Sequence, residues 1–261
     1  MATRRIEGGR FLVTGASSGI GRELARVLSS EGARLVVTAR REDRLRELVE
    51  ELRASGGDAH WVAGDVTDSD DRARMIAVAD EMIHGLDGLI NNAGVGAVGL
   101  FADAEPDRLR RVMEVNFFAP VELTRLALPL LRAGSCSIVV NIGSVLGHRA
   151  VPKKAEYCAS KFALHGFSDS LRAELAHEKI DLLHVCPSTT DSEFFDVVEG
   201  DRAAQPKIGS TPSPPRWVAQ RTVRAMRQGK HEIVLTGSAK WLVWIDRLMP
   251  SLADRLVARW A

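Results

Sequence analysis

Two hydrophobic periods alternate along this chain. Short unbroken apolar runs, Phe11-Leu12-Val13, Leu35-Val36-Val37 and Ile138-Val139-Val140, are bounded by arginine or small polar residues. Runs of this length suit strands of a parallel sheet covered on both faces. Between them, apolar residues recur every three or four positions. Leu24, Val27 and Leu28 mark one helix, and Leu45, Leu48, Val49 and Leu52 lie on one face of a second, Glu42 to Ala54, that stops at Ser55-Gly56-Gly57. The pattern continues with a strand at His60-Trp61-Val62, a helix from Ser69 to His84, and a strand at Leu86–Ile90. Helices follow over Pro106–Glu114 and Pro120–Leu131, then the buried strand Ser137–Ser144 and a long helix from Ala155 to Ala176. Ile180–Cys186, Trp217–Arg227 and Glu232–Leu235 complete the series as strand, helix and strand. Strands alternating with helices predict an α/β, Rossmann-type doubly wound parallel sheet with helices on both faces.

Periodicity fails from Glu193 to Pro215, where Phe194-Phe195 and four prolines, Pro206, Pro212, Pro214 and Pro215, interrupt it. A long irregular segment in a compact domain predicts a substrate lid, at about 188–215. A tail at about 238–261 regains helical spacing through Trp241, Trp244, Ile245, Leu248, Leu252, Leu256 and Trp260, with Pro250 dividing it into two short helices. That stripe covers its own domain, a partner subunit or a membrane surface.

The chain has 261 residues, 45% apolar and 26% charged, with a net charge of +1. This length fits one α/β domain, 1–261. The balance gives no footprint for a nucleic-acid partner. No leader-like apolar region opens the sequence and no uncharged run reaches membrane-spanning length, so a cytoplasmic location is expected. Cys136, Cys158 and Cys186 show no metal spacing; they are expected to be small buried hydrophobes, and no metal is expected.

Chemistry enters where strands end. The strand at Arg10–Thr14 runs into Gly15-Ala16-Ser17-Ser18-Gly19-Ile20-Gly21 and then a helix. The glycines permit close backbone approach, and the helix N-terminus offers amides to a pyrophosphate. Arg40, 19 residues past Gly21, stands where a residue reads the ribose. The pair Arg40-Arg41 suits a 2′-phosphate, with Arg22 a further contributor, and this favours NADP(H) over NAD(H). Asp65 meets an adenine or shapes a turn. Asn91-Asn92-Ala93-Gly94 offers side-chain bonds to backbone and a close approach. Asn116 is a core polar group or holds a water that passes protons to Lys161. Ser144 ends a buried strand. Tyr157, the only tyrosine, precedes Lys161 by one helical turn, so phenol and ammonium share a face, and the cation is expected to lower the phenol pKa.

The ordered set Thr14-Gly15-x-x-x-Gly19-x-Gly21, Asp65, Asn91-Asn92-Ala93-Gly94, Asn116, Ser144 and Tyr157-x-x-x-Lys161 resembles the short-chain dehydrogenase/reductase family in its compact single-domain branch. The resemblance covers about residues 8–190. It implies that Ser144 bonds the substrate oxygen, Tyr157 transfers the proton, Lys161 holds the nicotinamide ribose and tunes the phenol, and Asn116 supports a water relay. Gly15, Ser17, Ser18, Gly19, Ile20, Gly21, Arg40, Asp65, Val66, Asn92, Ala93, Gly94, Tyr157, Lys161, Pro187 and Ser192 are the cofactor contacts it implies. The chain departs from the family pattern at Ser188 for a glycine, Ser192 for a threonine and Ala119 for a glycine.

The resulting expectation is an NADP(H)-dependent oxidoreductase for a carbonyl or secondary alcohol of an apolar small molecule, working as a homodimer or homotetramer. Two alternatives remain: a non-enzymatic NADP-binding redox sensor, and a membrane-associated lipid or sterol ketone reductase. His148, near Ser144, is expected at the substrate lip or on the surface rather than as a base.

Overall fold

The computed structural model describes residues 4–191, 193, 198–200 and 212–258. In chain order the first half contains β1 (Arg10–Thr14), α1 (Gly19–Ser30), β2 (Arg34–Ala39), α2 (Glu42–Ala54), β3 (Asp58–Ala63), α3 (Ser69–Ile83), β4 (Gly88–Asn91) and the two-residue β5 (Ala97–Val98). The second half contains α4 (Arg108–Met113), α5 (Ala119–Ala133), β6 (Ile138–Ile142), α6 (Ala155–Ala176), β7 (Asp181–Cys186), β8 (Glu199–Gly200), α7 (Pro215–Arg227), β9 (Glu232–Val234), α8 (Gly237–Leu248) and α9 (Pro250–Ala258). Seven strands form one sheet in the order β3-β2-β1-β4-β6-β7-β9, with every pairing parallel. The strand order reverses between β1 and β4, and a crevice opens there at the carboxyl ends of the strands.

Alternate side chains of each strand feed opposite layers. Phe11, Val13, Leu35, Val37, Val140 and Val185 pack beneath α1, α2 and α7. Leu12, Val36, Leu89, Val139 and Leu182 pack beneath α3, α5 and the end of α6. Both faces are dry, which is why these strands read as unbroken apolar runs.

The helices expected at Pro106–Glu114 and Pro120–Leu131 are one continuous rod. A π-helical turn, Glu114–Phe118, joins α4 to α5, and the Ala119 amide donates to the Glu114 carbonyl five residues back. Pro120 has no amide to continue the regular ladder, so the turn widens instead of breaking. The tail divides at Pro250, as expected. One face of α8 and α9 packs on the domain through Ala239, Val243 and Val257. Arg149 ties it down, with 2.7 Å to Asp246 and 2.6 Å to Asp254. Cys158 and Cys186 are buried, but Cys136 is exposed, against expectation, in the turn before β6 where its φ is 53°. Among the described residues no helix is long and apolar enough to cross a membrane.

Candidate active site

The glycine turn between β1 and α1 is packed against the turn after β4. Gly15 has φ +66°, and a Cβ there would lie 2.8 Å from Ala93 Cα. At Gly21 a Cβ would fall 2.4 Å from both Asn92 Nδ2 and the Gly15 carbonyl oxygen. Glycine is therefore required at position 15 by contact as well as by conformation, and at position 21 by contact. Asn92 stitches the two turns, donating from Nδ2 to the carbonyls of Thr14 at 2.9 Å and Gly15 at 3.2 Å. The Thr14 hydroxyl accepts from the amides of Asn92 and Ala93, each at 3.0 Å. These bonds engage the Asn92 amide nitrogen within the protein, and the turn lines the crevice.

Ser18 is the N-cap of α1, yet its side chain caps no amide, and the first turn contains no acid. Its hydroxyl accepts from Arg41 Nη2 at 2.9 Å, and the Ser17 hydroxyl accepts from the same nitrogen at 3.1 Å. The helix N-terminus thus keeps free donors and a positive dipole end beside a guanidinium. Arg40 stands more exposed, with Nη1 3.9 Å from Asp65 Oδ2. Arg22 does not contribute: it turns toward α2, to Glu47 at 2.9 Å and Glu51 at 3.5 Å. Asp65 shapes its own turn, its Oδ1 accepting from the Thr67 amide at 2.9 Å and hydroxyl at 2.8 Å.

At the other end of the crevice, Ser144 leaves β6 and its hydroxyl accepts from the Leu146 amide at 3.1 Å. The Tyr157 phenol and the Ser144 side chain are hydrogen-bonded. Burial pushes the phenol up to about 12, with the Ser144 bond pulling against it. Burial also holds the Lys161 ammonium down at about 8. Its Nζ donates to the Ile142 carbonyl at 3.0 Å and lies 5.8 Å from the tyrosine ring centroid. The expected lowering of the phenol pKa by Lys161 is therefore not found in this geometry: burial dominates, and the Ser144 hydrogen bond is what opposes it.

Asn116 sits in the π turn with every side-chain polar atom engaged. Its Oδ1 accepts from the Val95 amide at 2.9 Å, while Nδ2 donates to the Val95 carbonyl at 2.9 Å and the Ser160 hydroxyl at 3.0 Å. The side chain clamps the strand-end turn to α6. Its main-chain carbonyl has no amide four residues on, because residue 120 is proline.

The two ends belong to one cavity of about 1000 Å³. Gly15, Ser17, Ser18, Gly19, Ile20, Arg40, Asp65, Val66, Asn92, Ala93, Gly94, Ser144, Tyr157, Lys161 and Pro187 all line it. Gly21 and Asn116 support this wall from behind, and Ser192, Phe194 and Phe195 lie outside the described residues. Arg44, Lys154, Trp241, Leu242 and Ile245 also line the cavity without having been singled out as site residues. Arg41 was visible only as half of an arginine pair, and Lys154 carries no motif. Trp241 and Ile245 belong to the apolar stripe of the tail, Leu242 does not, and only the fold shows that the stripe reaches the cavity mouth. Three observations fit a dinucleotide here: glycines where any Cβ would clash, an uncapped helix N-terminus, and a cationic corner one helix away.

A family model described as short chain dehydrogenase matches residues 10–203. The chain is 33% identical over 255 residues to the protein named uncharacterized oxidoreductase YxnA from Bacillus subtilis, covering 95% of this chain and 71% of that protein. A short chain dehydrogenase/reductase from Burkholderia phymatum, solved in complex with NAD, superposes with a TM-score of 0.86 at 24% identity, covering 95% and 96% of the two chains. One from Burkholderia cenocepacia, solved with NADP, gives 0.80 at 27% identity over 91% and 100%. The protein belongs to the short-chain dehydrogenase/reductase family, a family of oxidoreductases. Solved structures similar to it hold either NAD or NADP.

Proposed function

We propose that this protein is an NADP(H)-dependent oxidoreductase that interconverts a carbonyl and a secondary alcohol on an apolar small molecule. The observation that carries this reading is the convergence of Ser144, Tyr157 and Lys161 on one wall of the cavity whose far end is the glycine turn. The bound nicotinamide supplies or receives the hydride.

The protein's own groups handle the oxygen. In the reduction direction negative charge develops there, and the Ser144 and Tyr157 hydroxyls are two donors side by side to meet it. A phenol held near 12 stays protonated at neutral pH and serves as the proton donor. Lys161, beneath the tyrosine, orients the ribose and stabilises the phenolate left after transfer. The Asn116 main-chain carbonyl is the group suited to hold a relay water, since its side chain is committed to Val95 and Ser160. Leu242, Ile245 and Trp241 form an apolar mouth, which supports an apolar substrate. The intact proton-transfer set speaks against a purely binding redox sensor.

Preference for NADP(H) rests on Arg40 and Arg41, at the cavity end nearest the glycine turn. Paired titrations of NADPH and NADH test it. NADPH is expected to bind more tightly, and Arg41→Ala to weaken NADPH by about 10–100-fold while leaving NADH within a few-fold. Equal affinity for both nucleotides in the wild type would overturn the assignment.

A further inference from the structure

Next to the crevice, four elements bring together groups that are far apart in sequence. His148 follows the 3-10 turn Val145–Gly147 that continues from Ser144. Cys186 ends β7, immediately before Pro187, and Glu232 opens β9. His148 is not at the substrate lip: its side chain is 4% exposed. Its Nε2 lies 2.8 Å from Glu232 Oε1 and 3.5 Å from Cys186 Sγ. Sγ lies 3.7 Å from the same carboxylate oxygen. His165, on α6, brings its Nε2 to 3.4 Å from Glu232 Oε1, and its Nδ1 lies 3.2 Å from the Gly147 carbonyl.

His165 sets its Nδ1 against the Gly147 carbonyl and its Nε2 between two carboxylates, 3.4 Å from Glu232 Oε1 and 3.5 Å from Asp169 Oδ2. The arrangement in which one ring nitrogen donates to a backbone carbonyl while the other faces outward is the usual support for a metal-binding histidine. Behind it, the His184 ring stacks on His165 with centroids 4.8 Å apart, wholly buried and with neither nitrogen hydrogen-bonded.

Distances agree with a specific class of ion. Around a tetrahedral zinc, with bonds of about 2.0–2.2 Å to nitrogen and oxygen and about 2.3 Å to sulfur, ligand atoms sit about 3.4–3.6 Å apart. The two contacts of Cys186, at 3.5 and 3.7 Å, lie within or just beyond that spacing. The His148–Glu232 contact needs to open by roughly half an ångström. An imidazole, a thiolate and a carboxylate together suit zinc better than calcium or magnesium, which prefer oxygen alone.

We propose that His148, Cys186 and Glu232 form a binding site for a divalent transition metal of the zinc type, with His165 or water at the fourth position. The site does not depend on the substrate or cofactor reading. Its ligands come from the segment that follows Ser144, the residue before Pro187 and the sheet edge at β9, so an ion there clamps the two strand ends that flank the substrate oxygen. The intervals between ligands, 38 and 46 residues, match no metal motif and so leave no trace in the sequence.

The test is cobalt titration of the full chain after chelator dialysis. We expect one equivalent of Co(II) to bind with a near-ultraviolet thiolate-to-cobalt band and the visible bands of a tetrahedral ion, and Zn(II) to bleach both. Cys186→Ser is expected to abolish the thiolate band and Glu232→Gln to weaken binding at least ~10-fold, whereas Cys136→Ser and Cys158→Ser change neither. Zn(II) at a hundredfold excess over its Kd raises the wild-type Tm by about 5 °C and that of Glu232→Gln by less. Should Cys186→Ser fail to fold, Glu232→Gln and His148→Gln decide by the same readouts. No thiolate band in the wild type, or a band that survives Cys186→Ser, would overturn the proposal.

Discussion

At the residue scale, the site is built from groups that water would rather keep. Lys161 is buried and its ammonium sits near pH 8 instead of the usual 10.5. Its folded pKa is depressed, so the unfolded chain holds the proton that the native state sheds between those values. Stability therefore rises with pH across that window, and below it the buried charge is a net cost. Lys161→Met is expected to raise stability at pH 7 by about 2 kcal/mol, after allowing for the lost bond to Ile142. Urea unfolding without added nucleotide checks this: the gap between variant and wild type should shrink as pH rises from about 8 to 10.5. A pH-independent gap would mean that packing, not charge, separates them. The Tyr-x-x-x-Lys spacing was legible because a helix puts positions four apart on one face. The direction of the phenol shift was not, because burial is a property of the whole fold and no spacing encodes it.

Elements position those residues. The glycine turn, the strand-end turn at Asn91–Gly94 and the long α6 were all readable from period and glycine placement, since local chemistry decides them. The π turn at Glu114–Phe118 was not. Pro120 reads as a helix start, and only the Ala119-to-Glu114 main-chain bond shows that the helix runs through it. Nor did the sequence reveal that α8 reaches back to the cavity, since an apolar stripe does not say which surface it covers. Arg149 now supplies a handle on that docking, because one guanidinium binds aspartates on both tail helices. Arg149→Ala is expected to cost about 2 kcal/mol and to make the segment from 237 onward the first to be cleaved in limited proteolysis. KM for apolar substrates should rise with kcat little changed. An unchanged digestion pattern would show that apolar contacts alone hold the tail.

On the scale of the whole molecule, one parallel sheet places every strand end at a single crevice, and this is why motifs scattered from Gly15 to Pro187 meet. What covers the outside is a separate question. Phe118 and Phe162 are exposed on the π turn and α6, with Leu109 exposed on α4 and Leu126 on α5. We infer that these helices pair subunits, and expect Phe118→Asp with Phe162→Asp to shift the chain toward monomer in analytical ultracentrifugation. A wild type that is already monomeric at working concentration would remove this inference. Trp241, Trp244, Leu248, Met249 and Leu252 form a second exposed apolar face on the tail, the face a membrane-surface reading would use.

The central claim is that this crevice reduces or oxidises a carbonyl–alcohol pair through Tyr157. The most direct test is NADPH oxidation against a panel of apolar ketones and aldehydes, comparing the wild type with Tyr157→Phe. Turnover in the wild type, reduced at least ~100-fold in Tyr157→Phe with NADPH affinity within a few-fold, is the result we expect. Turnover that survives in Tyr157→Phe would contradict it.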